Sequence, residues 1–292
     1  MSGRKRAVVT GATGGIGEAI ARRLAAAGMG VVLFGRDEGR LRAARERVAA
    51  AVPGAELWLE RADLSLMAQV RDLAGRLAER PPDVVVSNAA VIAGLDERTP
   101  EGLPRTLATN HLAPYLLLRS LVAPIGSRPA RFVVVGADPR GLRHAPVDLD
   151  DLRARRGLGP VPSLRPFVAY GRTKNMNAMF AYALARRLAG TGSGITVNGA
   201  HPGIIKDTGL GAGTARGALW LLAAAIRLNP ATPGPDTGAD TPAWLATASE
   251  VEGVTGRFFV GRAAVGTAPH TTDVARCDRL WDESARLVGL PA

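Results

Sequence analysis

A tyrosine and a lysine four residues apart carry the clearest chemical signal in the chain. Tyr170 and Lys174 fall in the segment YGRTK, and the whole chain has only three tyrosines. Residues at this spacing lie on one face of a helix. An ammonium group near a phenol stabilises the phenolate and lowers a pKa that is otherwise about 10. We therefore expect Tyr170 to exchange a proton with an alcohol or a forming alkoxide. A packed tyrosine beside a solvated lysine is the alternative.

A glycine-rich turn near the N-terminus predicts a nucleotide site. The segment VVTGATGGIGEAI joins an apolar strand directly to a helix. Glycines permit a sharp turn and a close approach of phosphate to the backbone. The free N–H groups at a helix N-terminus bind anions such as a pyrophosphate. A plain strand–turn–helix is the alternative. The expected cofactor contacts are Gly11, Thr13, Gly14, Gly15, Ile16 and Gly17.

Three further segments follow predicted strands. Arg36 comes after the second strand, where an acidic residue would favour NAD, and its guanidinium suits the 2′-phosphate of NADP. An ordinary surface arginine is the alternative. Asp63 and Leu64 can hold the adenine amino group and wall the ring, although Asp63 also suits a helix N-cap. Asn88 and Ala89 place a small residue and an amide near a ribose.

Strand and helix signals alternate along the chain, which predicts a doubly wound α/β fold. Short Val/Ile/Leu runs indicate about seven strands of a parallel sheet flanked by helices, in a single Rossmann-like domain over residues 1–292. Ligands are expected at the carboxyl ends of the strands. The expected strands are 7–10, 30–34, 56–60, 83–86, 131–135, 195–200 and 258–260. The expected helices are 16–27, 37–52, 65–80, 104–123, 170–188, 215–228 and 240–247.

Composition narrows the function class. The 292 residues are 47% hydrophobic and 22% charged, as in soluble globular proteins. The net charge of +11 comes from arginines scattered along helix faces, with 4% aromatic residues, so we expect no nucleic-acid partner. No secretion signal is visible, and the apolar stretch 217–228 is too short for a membrane span. The single Cys277 excludes a cysteine-based zinc site, and no metal is expected. A cytoplasmic enzyme is the expectation.

Together these residues resemble the short-chain dehydrogenase/reductase superfamily, and its retinol-dehydrogenase-like branch in particular. The fingerprint TGATGGIG is followed in the expected order by further motif positions. The branch also shows a long insert before the tyrosine and a C-terminal segment like RLWDES. The resemblance covers nearly the whole chain. The motif positions after the fingerprint are Asp63, Asn88, Ala89, Asn110, Tyr170, Lys174, His201, Pro202 and Gly203.

The resemblance implies roles for these positions. Tyr170 would be the general acid/base, and Lys174 would hold the nicotinamide ribose and tune the tyrosine. Asn110 would support a water that links Lys174 to solvent, and the turn Pro202–Gly203 would cover the nicotinamide. The implied reaction is hydride transfer between NADP and a carbonyl or secondary alcohol. The resemblance leaves a homo-oligomer open.

The chain departs from the family at the end of the fifth strand. Ala137 stands where a catalytic serine is usual, and alanine cannot donate a hydrogen bond to the substrate oxygen. Asp138, Ser163 or Thr173 can replace it, the substrate can supply its own donor, or the fold no longer reduces anything. A second departure is Asp207 at a cofactor-amide position, which assigns that contact to Thr208.

The substrate side is expected in two regions, 138–168 and 209–238, as loops or a lid over an apolar pocket. An ordinary surface helix with an apolar core face is the alternative for the second region. We expect an NADPH-dependent ketoreductase acting on a bulky hydrophobic ketone or alcohol, with aromatic polyketide-type secondary metabolites included. The alternative from another class is a non-redox protein that binds NADP for regulation, scaffolding or cyclisation.

Overall fold

The computed structural model describes residues 4–206, 210, 224–225 and 227–291. Within them, eight strands form one sheet in the order β3-β2-β1-β4-β5-β6-β7-β8. Neighbouring strands are parallel except β8, which runs antiparallel to β7. The strands are β1 (Arg6–Thr10), β2 (Gly30–Gly35), β3 (Leu57–Arg61), β4 (Val84–Ser87), β5 (Ala130–Val135), β6 (Ile195–His201), β7 (Arg257–Val260) and β8 (Ala263–Val265).

Helices cover both faces of the sheet. Short 3₁₀ turns lie at Pro162–Leu164 and Ser249–Val251, and a π-helical turn lies at Ala108–Leu112. The helices are α1 (Gly15–Ala26), α2 (Glu38–Ala51), α3 (Met67–Glu79), α4 (Arg105–Leu107), α5 (Ala113–Ile125), α6 (Pro139–Leu142), α7 (Arg165–Leu188), α8 (Pro235–Thr247), α9 (Pro269–Thr272) and α10 (Val274–Val288).

The central strands are buried because their side chains alternate between two cores. In β1, Val8 belongs to the core under α3, α5 and α7, whereas Val9 belongs to the core under α1, α2 and α8. β-Branched residues suit this environment, since each strand packs on both faces. The runs of valine and leucine in the sequence therefore predicted buried parallel strands, and the structure confirms this fold class.

Chain order reverses between β1 and β4, which are neighbours in the sheet although β2 and β3 come between them in sequence. β2 and β3 lie on one side of β1, and β5 to β7 lie on the far side of β4. The loops that follow β1 and β4 therefore diverge at the carboxyl edge and leave a crevice. This is the place where doubly wound sheets bind ligands.

Three elements differ from the sequence prediction. The expected helix 104–123 is α4, the π-helical turn and α5, which extends to Ile125. Helix α7 begins at Arg165 rather than at 170, because Pro166 suits the first turn of a helix. Residues 165–168 are thus helical and not part of a loop. Helix α8 likewise begins at Pro235 rather than at 240. The expected helix 215–228 lies mostly outside the described residues.

The C-terminal part was not predicted as regular structure. β8 adds an eighth strand to the expected seven. Helix α10 packs on α5 and α7, and its Trp281 is only 6% exposed. The guanidinium carbons of Arg119 and Arg187 lie 4.2 and 4.3 Å from the Trp281 ring centroid. This helix covers α7 on the side away from the sheet and fixes the helix that carries Tyr170 and Lys174.

Candidate active site

A cleft of about 1130 Å³ opens at the carboxyl edge of the sheet, where β1 and β4 diverge. It extends from the glycine turn after β1 to Tyr170 and Lys174 on α7, so one continuous space joins the two motifs. The predicted residues that line it are Gly11, Thr13, Gly14, Gly15, Ile16, Gly17, Arg36, Asp63, Leu64, Asn88, Ala89, Tyr170, Lys174, Pro202 and Gly203. Thr208 lies outside the described residues, and so does Asp207.

The glycine turn is a cradle that any side chain would fill. A Cβ on Gly17 would lie 2.2 Å from the Gly11 carbonyl oxygen and 2.6 Å from Asn88 Nδ2. Gly11 and Gly15 have φ values of +69° and +54°, in the left-handed region that favours glycine. The N-terminus of α1 starts at this turn and carries a positive dipole. The turn is therefore shaped for an anionic group held by backbone N–H donors.

Asn88 braces this turn from the neighbouring strand. Its Nδ2 donates to the Thr10 carbonyl oxygen at 3.0 Å, and its backbone N–H donates to Thr10 Oγ1 at 2.9 Å. The Ala89 N–H donates to the same hydroxyl at 3.0 Å. These bonds tie the end of β4 to the end of β1. Asn88 therefore shapes the cradle through Thr10, the first residue of the glycine fingerprint.

The end of β2 lacks the carboxylate that an NAD ribose would need. A Cβ on Gly35 would lie 2.4 Å from Thr13 Cγ2, so a larger residue does not fit there without moving the turn. Arg36 follows and lines the cleft together with Arg40 of α2. Arg40 lies beside the turn, since one of its guanidinium nitrogens would be 3.8 Å from a Gly14 Cβ. Arg40 was missed in the sequence because it lies one helical turn beyond the motif.

Asp63 contacts two groups at the same end of the cleft. Its Oδ1 accepts hydrogen bonds from the N–H and the hydroxyl of Ser65, at 2.8 and 2.7 Å. Its Oδ2 lies 3.8 Å from Arg36 Nη1, in a solvent-exposed pair that contributes little stability. Helix α3 begins at Met67, so the N-cap alternative for Asp63 is wrong. Asp63 lines the cleft beside Arg36.

Tyr170 and Lys174 lie together on α7 with their polar ends toward the cleft. The Lys174 ammonium nitrogen is 5.5 Å from the Tyr170 ring centroid and donates to the Val135 carbonyl oxygen at 3.0 Å. Burial lowers the pKa of Lys174 to about 8. Burial also raises the pKa of Tyr170 to about 12, opposite to the lowering expected from the sequence. The reason is that Lys174 is directed to Val135 while the phenol is desolvated. Tyr170 is thus fully protonated at neutral pH.

Asn110 lies behind the cleft rather than on its wall. It is 1% exposed in the π-helical turn, an irregularity that often marks functional positions. Its side chain accepts from the Val91 N–H at 2.8 Å and donates to the Val91 carbonyl at 2.9 Å and to Thr173 Oγ1 at 3.2 Å. Its own carbonyl oxygen accepts from Asn177 Nδ2 at 2.8 Å. Asn110 thereby joins the loop after β4 to helix α7; its predicted contact with a water stays a prediction.

Ala137 lines the cleft without a donor, and the three replacements expected from sequence do not take its place. The Thr173 hydroxyl is buried and donates to the Tyr170 carbonyl oxygen at 2.7 Å. Ser163 is exposed in a 3₁₀ turn and does not line the cleft. Asp138 is exposed, and its Oδ1 accepts from the Arg140 N–H at 2.9 Å. Among the described residues, none of these three groups lines the cleft beside Tyr170.

Two loops also add apolar residues to the cleft wall, which carries the polar side chains of Glu97, Arg105, Thr109 and His201 as well. The loop after β4 contributes Ala90 to Ala93, which Asn110 holds against α7 through Val91. Ile204 and Leu210 also line the cleft and are 68% and 39% exposed. Large exposed apolar side chains around a concave site are typical of sites for hydrophobic ligands.

Comparison with known proteins agrees with this arrangement. The family model described as short chain dehydrogenase matches residues 5–137. The chain is 35% identical over 285 residues, which are 97% of this chain and 92% of the relative, to the Streptomyces sp. (strain C5) protein named "Putative daunorubicin C-13 ketoreductase DnrU". The chain belongs to the short-chain dehydrogenase family.

Two further proteins of this family widen the comparison. Human retinol dehydrogenase 13 is 30% identical over 301 residues, covering 99% of this chain and 86% of that protein. A 3-oxoacyl (acyl-carrier-protein) reductase from Agrobacterium tumefaciens C58, with NADP bound, has a TM-score of 0.64 at 26% identity and covers 88% of this chain and 92% of that one. The resemblance to the retinol-dehydrogenase-like branch is thus confirmed. Members of the family bind nicotinamide cofactors, and the glycine cradle of this chain fits one.

Among the described residues, no helix has the length and apolarity that a membrane crossing requires.

Proposed function

We propose that this short-chain dehydrogenase is an NADPH-dependent ketoreductase that acts on bulky hydrophobic ketones, including aromatic polyketide-type compounds. One observation carries the proposal: Tyr170 and Lys174 open into the same cleft as the glycine cradle. A dinucleotide held with its pyrophosphate at the cradle would have room to extend along this cleft toward Tyr170. The family relation supports the oxidoreductase class, and the similarity to the Streptomyces protein named as a ketoreductase supports ketone reduction.

The preference for NADPH rests on charge at the far end of the cleft. Arg36 and Arg40 provide two guanidinium groups beside the place where the adenosine ribose would lie. Gly35 provides no acidic side chain for the 2′-hydroxyl, and Thr13 blocks one from being added. A 2′-phosphate accepts charge-assisted hydrogen bonds from such arginines. The arrangement therefore favours a phosphorylated ribose.

The chain's own residues would perform the proton chemistry. The bound cofactor would supply hydride to the carbonyl carbon. Tyr170, protonated because burial raises its pKa to about 12, would donate its proton to the carbonyl oxygen. Lys174, charged at neutral pH, would hold the ribose hydroxyls and stabilise the phenolate that remains. The apolar wall at Ala90–Ala93 and Ile204 would exclude water from the reacting carbonyl.

The proposed substrate follows from the apolar residues on the cleft wall, which are Ala90 to Ala93, Ile204 and Leu210. A flat hydrophobic ketone matches these residues better than a charged acyl substrate does. Residues 138–164, which precede α7, are proposed to close over this part of the cleft, whereas the expected lid segment 209–238 lies in part outside the described residues. A cytoplasmic location and a possible assembly of several copies remain predictions from the sequence.

The first test is turnover. The purified protein is mixed with NADPH and either 1-tetralone or 8-hydroxy-1-tetralone, and loss of NADPH absorbance in the near-ultraviolet is followed. We expect steady oxidation with at least one ketone, and loss of turnover in Tyr170→Phe. NADPH binding without oxidation by any ketone would instead favour a non-redox, nucleotide-binding protein.

The second test concerns the cofactor. Loss of a charge-assisted hydrogen bond costs about 1.5–3 kcal/mol. Arg36→Ala and Arg40→Ala are therefore expected to raise the KM for NADPH by roughly 10- to 100-fold, with little change in the KM for NADH. Arg45→Ala is the matched control, since Arg45 is an exposed arginine of α2 that does not line the cleft. Equal losses with NADH and NADPH would refute a 2′-phosphate contact.

A further inference from the structure

His201 ends β6 beside the position of the missing donor. Val135 pairs with Ala200 in the β5–β6 register, and the Gly136 N–H donates to the Ala200 carbonyl oxygen at 2.8 Å. His201 is the next residue on β6, so its backbone lies beside the segment Gly136–Ala137, about one strand spacing away, or roughly 4.8 Å. Both His201 and Ala137 line the cleft.

The side chain of His201 is directed to the Tyr170 side of the sheet. Ala200 belongs to the core under α1 and α8, and side chains alternate along a strand, so His201 faces the α7 side. The ring interacts electrostatically with Lys174, whose ammonium group lies 5.5 Å from the Tyr170 ring centroid. Asp138 also acts on the ring across the strand end. The imidazole is therefore at the catalytic end of the cleft.

The two ring nitrogens have different surroundings. Nδ1 is buried and has no hydrogen-bond partner among the described residues. Nε2 also makes no hydrogen bond to them, but it is less buried than Nδ1, and His201 lines the cleft. Burial lowers the pKa of His201 most strongly, Lys174 lowers it further, and Asp138 raises it. The lowered pKa favours the neutral ring, which carries one proton.

That proton belongs on Nε2. An N–H donor buried without an acceptor costs more than an unpaired acceptor, and Nδ1 is the buried nitrogen. The ring thus presents an N–H donor to the cleft, next to an alanine that has none. A neutral imidazole of this kind can polarise a carbonyl group.

We propose that His201 Nε2–H donates a hydrogen bond to the substrate's carbonyl oxygen and stabilises the developing alkoxide in place of a hydroxyl at residue 137. This rests on the proposed ketoreductase function and extends it. During reduction, the hydride adds to the carbonyl carbon, the C=O π electrons move to oxygen, and Tyr170 delivers the proton. His201 keeps its own proton and acts as a catalytic residue through the hydrogen bond alone.

The proposal is tested by a donor-swap series. His201→Ala removes the donor, and His201→Gln places an amide N–H near the position of Nε2. For 1-tetralone, we expect His201→Ala to lower kcat by about 10²–10³, the usual effect of losing an oxyanion donor. His201→Gln should keep kcat within about tenfold of the wild type. His270→Ala is the control, because His270 lies outside the cleft and bonds Asn175 Oδ1.

Two further measurements separate this role from a structural one. Ala137→Ser in the His201→Ala background should regain at least tenfold in kcat, whereas Ala137→Ser alone should add little. The loss in His201→Ala should be smaller for 8-hydroxy-1-tetralone, whose phenol bonds its own ketone. In the wild type, the His201 Nε2–H signal in ¹H–¹⁵N spectra should shift when NADP and 1-tetralol bind together.

The outcomes are distinguishable. A folded His201→Ala protein that binds NADPH and keeps kcat within threefold for 1-tetralone overturns the role of His201 and leaves the ketoreductase proposal intact. Equal losses in His201→Ala and His201→Gln, with no rescue by Ala137→Ser, also overturn it. A wild type that reduces neither tetralone overturns the ketoreductase proposal, and the role of His201 with it.

Discussion

Replacing Lys174 by methionine should stabilise the protein while abolishing turnover. The Lys174 side chain is 3% exposed, and its ammonium group has one hydrogen-bond acceptor, the Val135 carbonyl oxygen. Burial lowers its pKa from 10.5 to about 8. Each unit corresponds to about 1.36 kcal/mol, so keeping the charge buried costs about 3 kcal/mol at neutral pH. Lys174→Met removes this cost and loses one hydrogen bond of about 1 kcal/mol.

The expected result is a gain of about 2 kcal/mol in the free energy of unfolding at pH 7, measured by urea denaturation of the cofactor-free protein. The gain has a defined pH dependence. Between pH 8 and 10.5 the unfolded wild type binds the lysine proton and the folded wild type does not, so wild-type stability rises with pH. By about pH 9.5 the cost falls to roughly 1 kcal/mol and the advantage of the variant disappears.

The control is Lys5→Met, which replaces an exposed lysine and should change stability by less than about 0.5 kcal/mol at either pH. A Lys174→Met protein that is no more stable than the wild type at pH 7 would refute the reasoning. So would a gain that is equal at pH 7 and pH 9.5. The expected combination of higher stability and lost activity is the trade-off common at functional sites.

Three other variants test separate parts of the structure. Gly17→Ala should abolish NADPH binding in a fluorescence titration, because its Cβ would lie 2.2 Å from the Gly11 carbonyl oxygen; retained affinity would contradict the cradle. Tyr170→Phe should lower kcat by about 10²–10⁴ at unchanged NADPH affinity, as loss of a general acid predicts; a normal kcat would exclude Tyr170 as the proton donor. Trp281→Ala should destabilise the protein by about 3–5 kcal/mol in urea, because the 6% exposed ring fills the contact of α10 with α5 and α7; a loss below about 1 kcal/mol would show that α10 is not needed to hold α7.

Local patterns in the sequence were sufficient where one segment determines its own structure. Gly11, Gly15 and Gly17 encode the turn because their missing side chains act within the loop itself. The apolar runs encode buried strands, and the spacing of Tyr170 and Lys174 encodes a shared helix face. For this reason the fold class, the cofactor cradle and the Tyr–Lys pair could all be predicted.

Other features depend on contacts between distant segments. Burial raises the pKa of Tyr170, and the Lys174 ammonium group is held away from the phenol by the Val135 carbonyl oxygen of β5. Arg40 lines the cleft beside Arg36 only because the fold places α2 next to the glycine turn.

The hydrogen-bond donor proposed for the substrate carbonyl also depends partly on the sequence and partly on the tertiary structure. The sequence by itself determined that residue 137 is an alanine and lacks a donor. Only the tertiary structure decided that Asp138, Ser163 and Thr173 do not line the cleft. It also decided that His201 lies beside Ala137. The physical reason is that strand register, not sequence spacing, sets which side chains meet at the carboxyl edge of a parallel sheet.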